Sequence, residues 1–149
     1  MSYELIDYKN KGFQTSDFFI QLALYYINEE LKNKKYLFVN KNSLQKYNND
    51  VVNGSMAGWF AFLWDDYILS SNEEQIMIQV LQSTKSSMLS KEKFISVDEL
   101  QGIPTRDRDF SVFYCKPFPI SELIKIIDAL LQMLQGTWSY ANYDMEINY

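Results

Sequence analysis

The chain has 149 residues, a length that suits one globular domain burying roughly 70% of its extended-chain surface. Apolar residues make up 47% of the chain and aromatic residues 16%, a composition that excludes intrinsic disorder. The net charge of −5 argues against general affinity for nucleic acid, because phosphate binding needs clustered lysine and arginine. We therefore expect a single globular domain over residues 1–149 without a nucleic-acid partner.

Cysteine usage and hydropathy bear on the compartment. Cys115 is the only cysteine, which excludes an internal disulfide and a cysteine-rich zinc site and suits a reducing environment. No stretch approaches the ~20 consecutive apolar residues of a membrane span, and the N-terminal residues lack the basic region and apolar run of a signal peptide. We expect a cytoplasmic protein without a membrane partner.

The first predicted elements are a strand and a long helix. Residues 3–8 alternate weakly in polarity, which favours a first strand or an arm laid on the core, and Gly12 is expected to break it. Thr15 or Ser16 can then cap a helix over about residues 16–32, whose first three turns are apolar on almost every side. Such a helix lies at the centre of a core or is shared with a partner chain.

A short strand, an amphipathic helix and an ambiguous aromatic stretch follow. Residues 36–39 are aromatic and β-branched, which favours a strand, and residues 42–52 have one apolar face at helical spacing. Residues 58–64 include Trp59 and Trp64 and satisfy the helical and the strand period in part. We favour a strand for this stretch, with a helix as the alternative.

The next predicted elements are a third helix and a strand. The helix covers about residues 72–89, and its cap is Ser70 or Ser71, since each stands three residues before a glutamate. Residues 110–115 have apolar side chains on both sides of an alternating pattern, which predicts a strand in the centre of a sheet. We expect Cys115 to be a small buried core residue of that strand.

Residues 119–136 form the helix around which the chain is organised. Apolar residues cover more than half of its circumference, so other elements must pack on two of its sides. Ser121 is its predicted cap and Gly136 its stop, and residues 138–149 alternate as a last strand would. The predicted fold class is α+β: three main helices packed on a mostly antiparallel sheet of about four strands, in a single pair of layers.

The chemistry open to the chain is narrow because it contains no histidine. Serine–histidine and cysteine–histidine nucleophile pairs and histidine-ligated metals are thereby excluded, and its five glycines never form a nucleotide-binding loop. The adjacent Asp65 and Asp66 diverge in direction in a strand or a helix, and Asp107 and Asp109 are interleaved with arginines. We expect no catalytic residue, no metal and no cofactor.

Aromatic residues beside carboxylates are the strongest functional signal. Residues 51–149 hold seven basic and thirteen acidic residues, whereas residues 1–50 hold seven and six, so a basic partner should prefer the second part. Tyrosine and tryptophan commonly anchor protein interfaces, although core packing is the alternative role for each tryptophan. The predicted contact residues are Trp59, Trp64, Asp65, Asp66, Trp138, Tyr140, Tyr143, Asp144 and Glu146.

These features favour a non-enzymatic protein-binding domain. Its most concrete form is a small acidic inhibitor that covers the active site of a basic toxin or nuclease. Bacterial toxin-immunity proteins are of this general type, but no family motif links them to this chain. The first alternative is a structural or homo-oligomeric module in which the first helix or the aromatic strands pair with a second copy. The other is an enzyme that uses only aspartate or glutamate.

Overall fold

The computed structural model of the protein describes residues 2–55 and 61–149. Within these ranges helices predominate, and the strands form two separate two-stranded sheets. The expected mixture of helix and sheet is confirmed. The expected sheet of about four strands is wrong for the described ranges, because most of the segments assigned to it are helices or irregular chain.

The chain begins with a β-hairpin. Strand β1 is Tyr3–Tyr8 and strand β2 is Lys11–Ser16, and the two pair antiparallel. Lys9 and Asn10 form the two-residue turn with φ of 49° and 66°, the left-handed backbone that a type I′ turn requires at both positions. The strand expected at residues 3–8 is therefore confirmed, and it has a partner that the sequence analysis did not assign.

Gly12 lies within β2 instead of ending β1. A Cβ atom at this position would lie 1.8 Å from the carbonyl oxygen of Ile6 in the opposite strand. Only glycine allows the two backbones to approach so closely. The residue that the sequence marks as a break is thus required for the pairing.

The four longest helices lie where helical periodicity predicts them. The remaining strands are β3 (Phe94–Ile95) and β4 (Phe118–Pro119), which pair antiparallel. The helices of the described ranges are α1 (Asp17–Leu31), α2 (Lys41–Val52), α3 (Trp64–Tyr67), α4 (Ser71–Leu89), α5 (Val97–Gln101), α6 (Arg108–Phe113) and α7 (Ile120–Gln135).

The core lies between α1, α4 and α7. Helix α1 contacts α2, α4, α7 and β2, and α7 packs along α4. All residues of α1 are buried except Asp17, Tyr25, Glu29 and Glu30. Helix α1 is therefore central in the core, the first of its two expected placements.

The ends of α4 and α7 show which predicted caps are used. The Ser70 hydroxyl accepts a hydrogen bond from the Glu73 N–H at 3.2 Å, which places the capping box of α4 in the first of its two possible registers. Helix α7 ends at Gly136, whose φ is 76°, as predicted. It begins one residue before Ser121, so Pro119 holds the cap position and the predicted Ser121 cap is wrong.

The strand expected at residues 36–39 is wrong. These residues have no regular structure and connect α1 to α2. Tyr36 is buried, while Leu37 and Val39 are exposed. A short apolar run predicts a strand only if another strand pairs with it, and here a single buried ring fixes the connection instead.

The strand expected at residues 110–115 is also wrong. Phe110 and Tyr114 are both buried, and their spacing of four residues puts them on one face of helix α6 and its end. Val112 would share that side in a strand but is 73% exposed. Cys115, expected in the core, is exposed.

The two remaining expected strands differ from the structure as well. For residues 58–64, positions 58–60 lie outside the described residues, 61–63 are irregular and Trp64 begins α3. Residues 138–149 form no regular strand; one parallel bridge joins Glu146 to Gln14 in β2.

Among the described residues, none of the helices has the length and apolarity to cross a membrane.

Candidate functional site

Residues 137–149, the C-terminal segment, lie along the outer edge of β2. The N–H of Gly12 donates to the carbonyl oxygen of Tyr140 at 3.0 Å. The N–H of Ile147 donates to the carbonyl oxygen of Gln14 at 2.9 Å. These bonds satisfy backbone groups that an open strand edge would leave to solvent. The segment is therefore held in place although it is not a regular strand.

Trp138 anchors this segment to the hairpin. Its indole N–H donates to the carbonyl oxygen of Gly12 at 2.8 Å, and its ring packs edge-on against Phe13 with centroids 6.3 Å apart. The Tyr140 ring packs against Trp138 at 5.3 Å. The tryptophan is half-buried, so it fixes the segment and supports the tyrosine beside it.

Beyond Trp138, the C-terminal segment turns rings and carboxylates to solvent. Tyr140 is 41% and Tyr143 73% exposed, and Asp144 and Glu146 are exposed as well. Neither of these two carboxylates forms an ion pair with the residues that the structure describes. Two tyrosine rings and two unpaired negative charges are thus presented to a partner.

Asp65 holds the other side of the hairpin at its turn. Its carboxylate accepts a hydrogen bond from the backbone N–H of Lys9 at 3.2 Å. The carboxylate of Glu74 accepts from the Lys9 ammonium at 2.9 Å and from the Tyr8 hydroxyl at 2.8 Å. These contacts fix a lysine whose positive φ is unfavourable for a residue with a Cβ.

The titrating groups around the turn interact with one another. Burial, and next the charge of Asp65, raise the pKa of Asp7. Burial alone would raise the pKa of Glu74, but the hydrogen bonds from Lys9 and Tyr8 outweigh it and hold that pKa below its ordinary value. Burial and the hydrogen bond to Glu74 raise the pKa of the Tyr8 hydroxyl, which stays a neutral donor.

A depression of about 360 Å³ connects the two sides of the hairpin. It is lined by Tyr8, Lys9 and Glu74 at the turn, and by Trp138 and the end of α7 on the other side. Two stretches that are distant in the sequence therefore meet on one hairpin. The hairpin surface is defined as Asp65, Asp66, Glu74, Trp138, Tyr140, Tyr143, Asp144 and Glu146.

No family model, curated protein or solved structure matches this chain. The geometry of the hairpin surface is therefore the basis on which its function is inferred.

Trp64, one of the predicted contact residues, is not part of the hairpin surface. Trp64 is 1% exposed and packs against Phe62, with ring centroids 5.0 Å apart. It is a core residue, which corrects its predicted role as a contact residue. Trp59 lies outside the described residues.

The other predicted contact residues have two kinds of position. Asp65 and Trp138 form hydrogen bonds within the protein and hold the turn and the C-terminal segment. The exposed members are Asp66, Tyr140, Tyr143, Asp144 and Glu146.

The sequence analysis missed the hairpin turn itself. Lys9 and Asn10 lack the glycine that usually marks a type I′ turn, and Glu74 was assigned to helix capping alone. Asn10 is the signal that could have found it, because asparagine tolerates left-handed backbone better than most residues. It stands between two stretches that are each six residues long.

Asp107, one of the carboxylates considered for enzymatic chemistry, has structural partners for both of its oxygens. One Asp107 oxygen accepts from the backbone N–H of Asp109 at 3.1 Å and caps α6. The other accepts from the side-chain amide of the buried Gln21 at 2.9 Å. Across residues 2–55 and 61–149, no group of three or more histidine, cysteine, aspartate or glutamate residues could hold a metal ion.

Proposed function

We propose that the chain is a non-enzymatic protein-binding domain whose hairpin surface docks on a basic protein. Its most concrete form is an inhibitor that covers the active site of a basic toxin or nuclease. One observation carries the proposal: backbone hydrogen bonds hold the C-terminal segment on the hairpin with Tyr140, Tyr143, Asp144 and Glu146 exposed.

Two features of the hairpin surface favour binding of a basic protein: the C-terminal segment is held in place, and the surface is negatively charged. A backbone segment already held in place in the free protein loses less conformational entropy on binding, which favours affinity. Tyrosine gives a large contact area with a hydroxyl that remains hydrogen-bonded, and carboxylates accelerate the approach of a basic partner. Asp66, exposed beside the turn, adds to the same negative field.

Pairing with a second copy through the first helix has less support. The apolar residues of α1 other than Tyr25 are buried within one molecule, and Tyr25 is half-buried. A partner chain would therefore find no exposed apolar face on that helix.

The test is capture from the native lysate at low and then moderate salt. The immobilised forms are the wild-type protein and the double variant Asp144→Lys with Glu146→Lys. The matched control, Glu92→Lys with Asp98→Lys, makes the same change in net charge at exposed positions around α5. Circular dichroism checks that all three are folded.

We expect the wild type and the control to capture the same basic protein and the hairpin variant to lose it. The purified partner should then lose its own activity when the wild type is added in equal amount. Equal capture by all three forms, or equal loss from both variants, contradicts the assignment of the interface.

A further inference from the structure

The connection between α1 and α2 is the most basic part of the chain. Residues 32–41, the basic loop, contain four lysines and no acidic residue, in a chain whose net charge is −5. Lys34 and Lys35 are exposed and form no ion pair with the described part of the chain. Lys32 pairs with Glu29 at 2.6 Å.

Apolar side chains project from the same loop. Leu37 is 74% exposed and Val39 94%. The side-chain amide of Asn40 donates to the carbonyl oxygen of Tyr67 at 3.3 Å, and Leu69, two residues beyond Tyr67, is also exposed. The loop itself exposes two aliphatic side chains.

The basic loop is held in this conformation by contacts at its base. The buried Tyr36 donates its hydroxyl to Glu30 at 2.8 Å. The ammonium of Lys41 donates to the carbonyl oxygens of Asn33 at 2.9 Å and Tyr36 at 2.7 Å. The loop consequently presents Leu37 and Val39 without having to refold.

The charges select among possible partners. A second copy joined about a two-fold axis would bring Lys34 and Lys35 of both chains together, and a basic protein would be repelled. An anionic surface is complementary to them. A lipid interface also accommodates single apolar side chains at its acyl boundary while lysine ammonium groups remain among the headgroups.

We propose that the basic loop binds the surface of anionic phospholipid membranes, with Leu37 and Val39 entering the interface and Lys34 and Lys35 contacting the headgroups. This revises the expectation that the chain has no membrane partner, which rested on the lack of a spanning segment. Surface binding needs no such segment. The net negative charge of the protein opposes its approach to an anionic membrane. Binding therefore requires both the apolar and the basic residues of the loop.

The experiment is co-sedimentation with phosphatidylcholine vesicles that contain phosphatidylserine, compared with vesicles of phosphatidylcholine alone. One variant combines Leu37→Ser with Val39→Ser, and another combines Lys34→Gln with Lys35→Gln. The matched control combines Leu89→Ser with Lys93→Gln, exposed residues at the opposite end of α4 from Leu69. Circular dichroism confirms that each variant is folded.

We expect the wild type and the control to sediment only with the anionic vesicles and both loop variants to lose most of that binding. Raising the salt concentration should release the wild type. Failure to bind anionic vesicles, or equal binding by the loop variants, overturns the proposal. A different result would assign the loop to a protein partner instead of a membrane. In that case the wild type does not bind vesicles but captures an acidic protein, and the loop variants do not capture it.

The two proposals fail separately. Asp144→Lys with Glu146→Lys should abolish binding to the basic protein and leave vesicle binding intact or stronger. The loop variants should lose vesicle binding and still bind the basic protein.

Discussion

Lys9 and Asn10 show how single residues determine the shape of the hairpin surface. Both have positive φ, which brings a Cβ close to the backbone in any residue except glycine. Lys9 is fixed by contacts from Asp65 and Glu74. The Asp7 carboxylate contacts the backbone N–H of Asn10, a contact that does not depend on the Asn10 side chain, so a substitution of Asn10 tests the turn conformation itself.

The Asn10→Ala variant should unfold at lower urea concentration than the wild type because alanine is less tolerant of left-handed backbone. Its free energy of unfolding should fall by about 1 kcal/mol. Asn10→Gly should be at least as stable as the wild type. The control is Asn42→Ala in α2, where the same change should raise stability slightly because alanine favours helix. Equal stability of Asn10→Ala and the wild type would show that the turn is not left-handed.

Glu74 gives the hairpin a dependence on pH. Its pKa is below the ordinary value of 4.5, so its ionised form stabilises the folded state above that pH and the contribution is lost as the pH falls through the lowered pKa. Glu74→Gln should therefore lower the free energy of unfolding by about 1 kcal/mol at neutral pH. As the pH falls below 4.5, its difference from the wild type should shrink.

Urea titrations of Glu74→Gln at neutral and acidic pH provide the measurement. Glu92→Gln, an exposed position away from the hairpin, is the control. A difference between Glu74→Gln and the wild type that stays constant down to acidic pH would mean that Glu74 does not act through its charge.

At the scale of elements, the four longest helices could be predicted from the sequence because their apolar periodicity is local. Apart from β1, the strands could not, since a strand depends on a partner that lies elsewhere in the chain. Phe110 and Tyr114 illustrate the ambiguity: a spacing of four residues fits one side of a strand and one face of a helix. Gly12 illustrates the opposite error, because its need for close backbone approach is visible only once β1 is opposite it.

The C-terminal segment depends on Trp138 for its attachment to β2. Trp138→Phe keeps a ring against Phe13 but removes the hydrogen bond to the Gly12 carbonyl oxygen. The amides of Gly12 and Ile147, which bond across the junction, should then exchange with solvent several-fold faster, whereas amides in α7 should not change.

Hydrogen exchange followed by NMR measures this effect. The control is Tyr140→Phe, which keeps the ring packed on Trp138 and removes an exposed hydroxyl. If the two variants leave the exchange of Gly12 and Ile147 equally protected, the indole hydrogen bond does not hold the segment.

At the scale of the whole molecule, the fold joins parts of the chain that carry the same chemical signal. The sequence identified rings beside carboxylates at Asp65–Asp66 and at residues 138–146. It could not place both stretches on one hairpin, because Asp65 meets Lys9 across 56 residues and Trp138 meets Gly12 across 126. Nor could it show that Trp64 is buried while Trp138 is half-buried.

The described residues also carry unpaired charges of both signs. The hairpin surface carries unpaired carboxylates, while the basic loop between α1 and α2 carries unpaired lysines. We infer that the two regions serve different partners, because a surface that attracts one sign of charge repels the other.

The central claim is that the carboxylates and rings of the hairpin surface bind a basic protein. The most direct measurement is the association rate of the captured partner, by stopped-flow fluorescence, over a series of salt concentrations. The wild type should associate fastest at low salt and slow steeply as salt screens the field, and Asp144→Lys with Glu146→Lys should associate slowly at every concentration. Identical rates and identical salt dependence for the two forms would contradict the account.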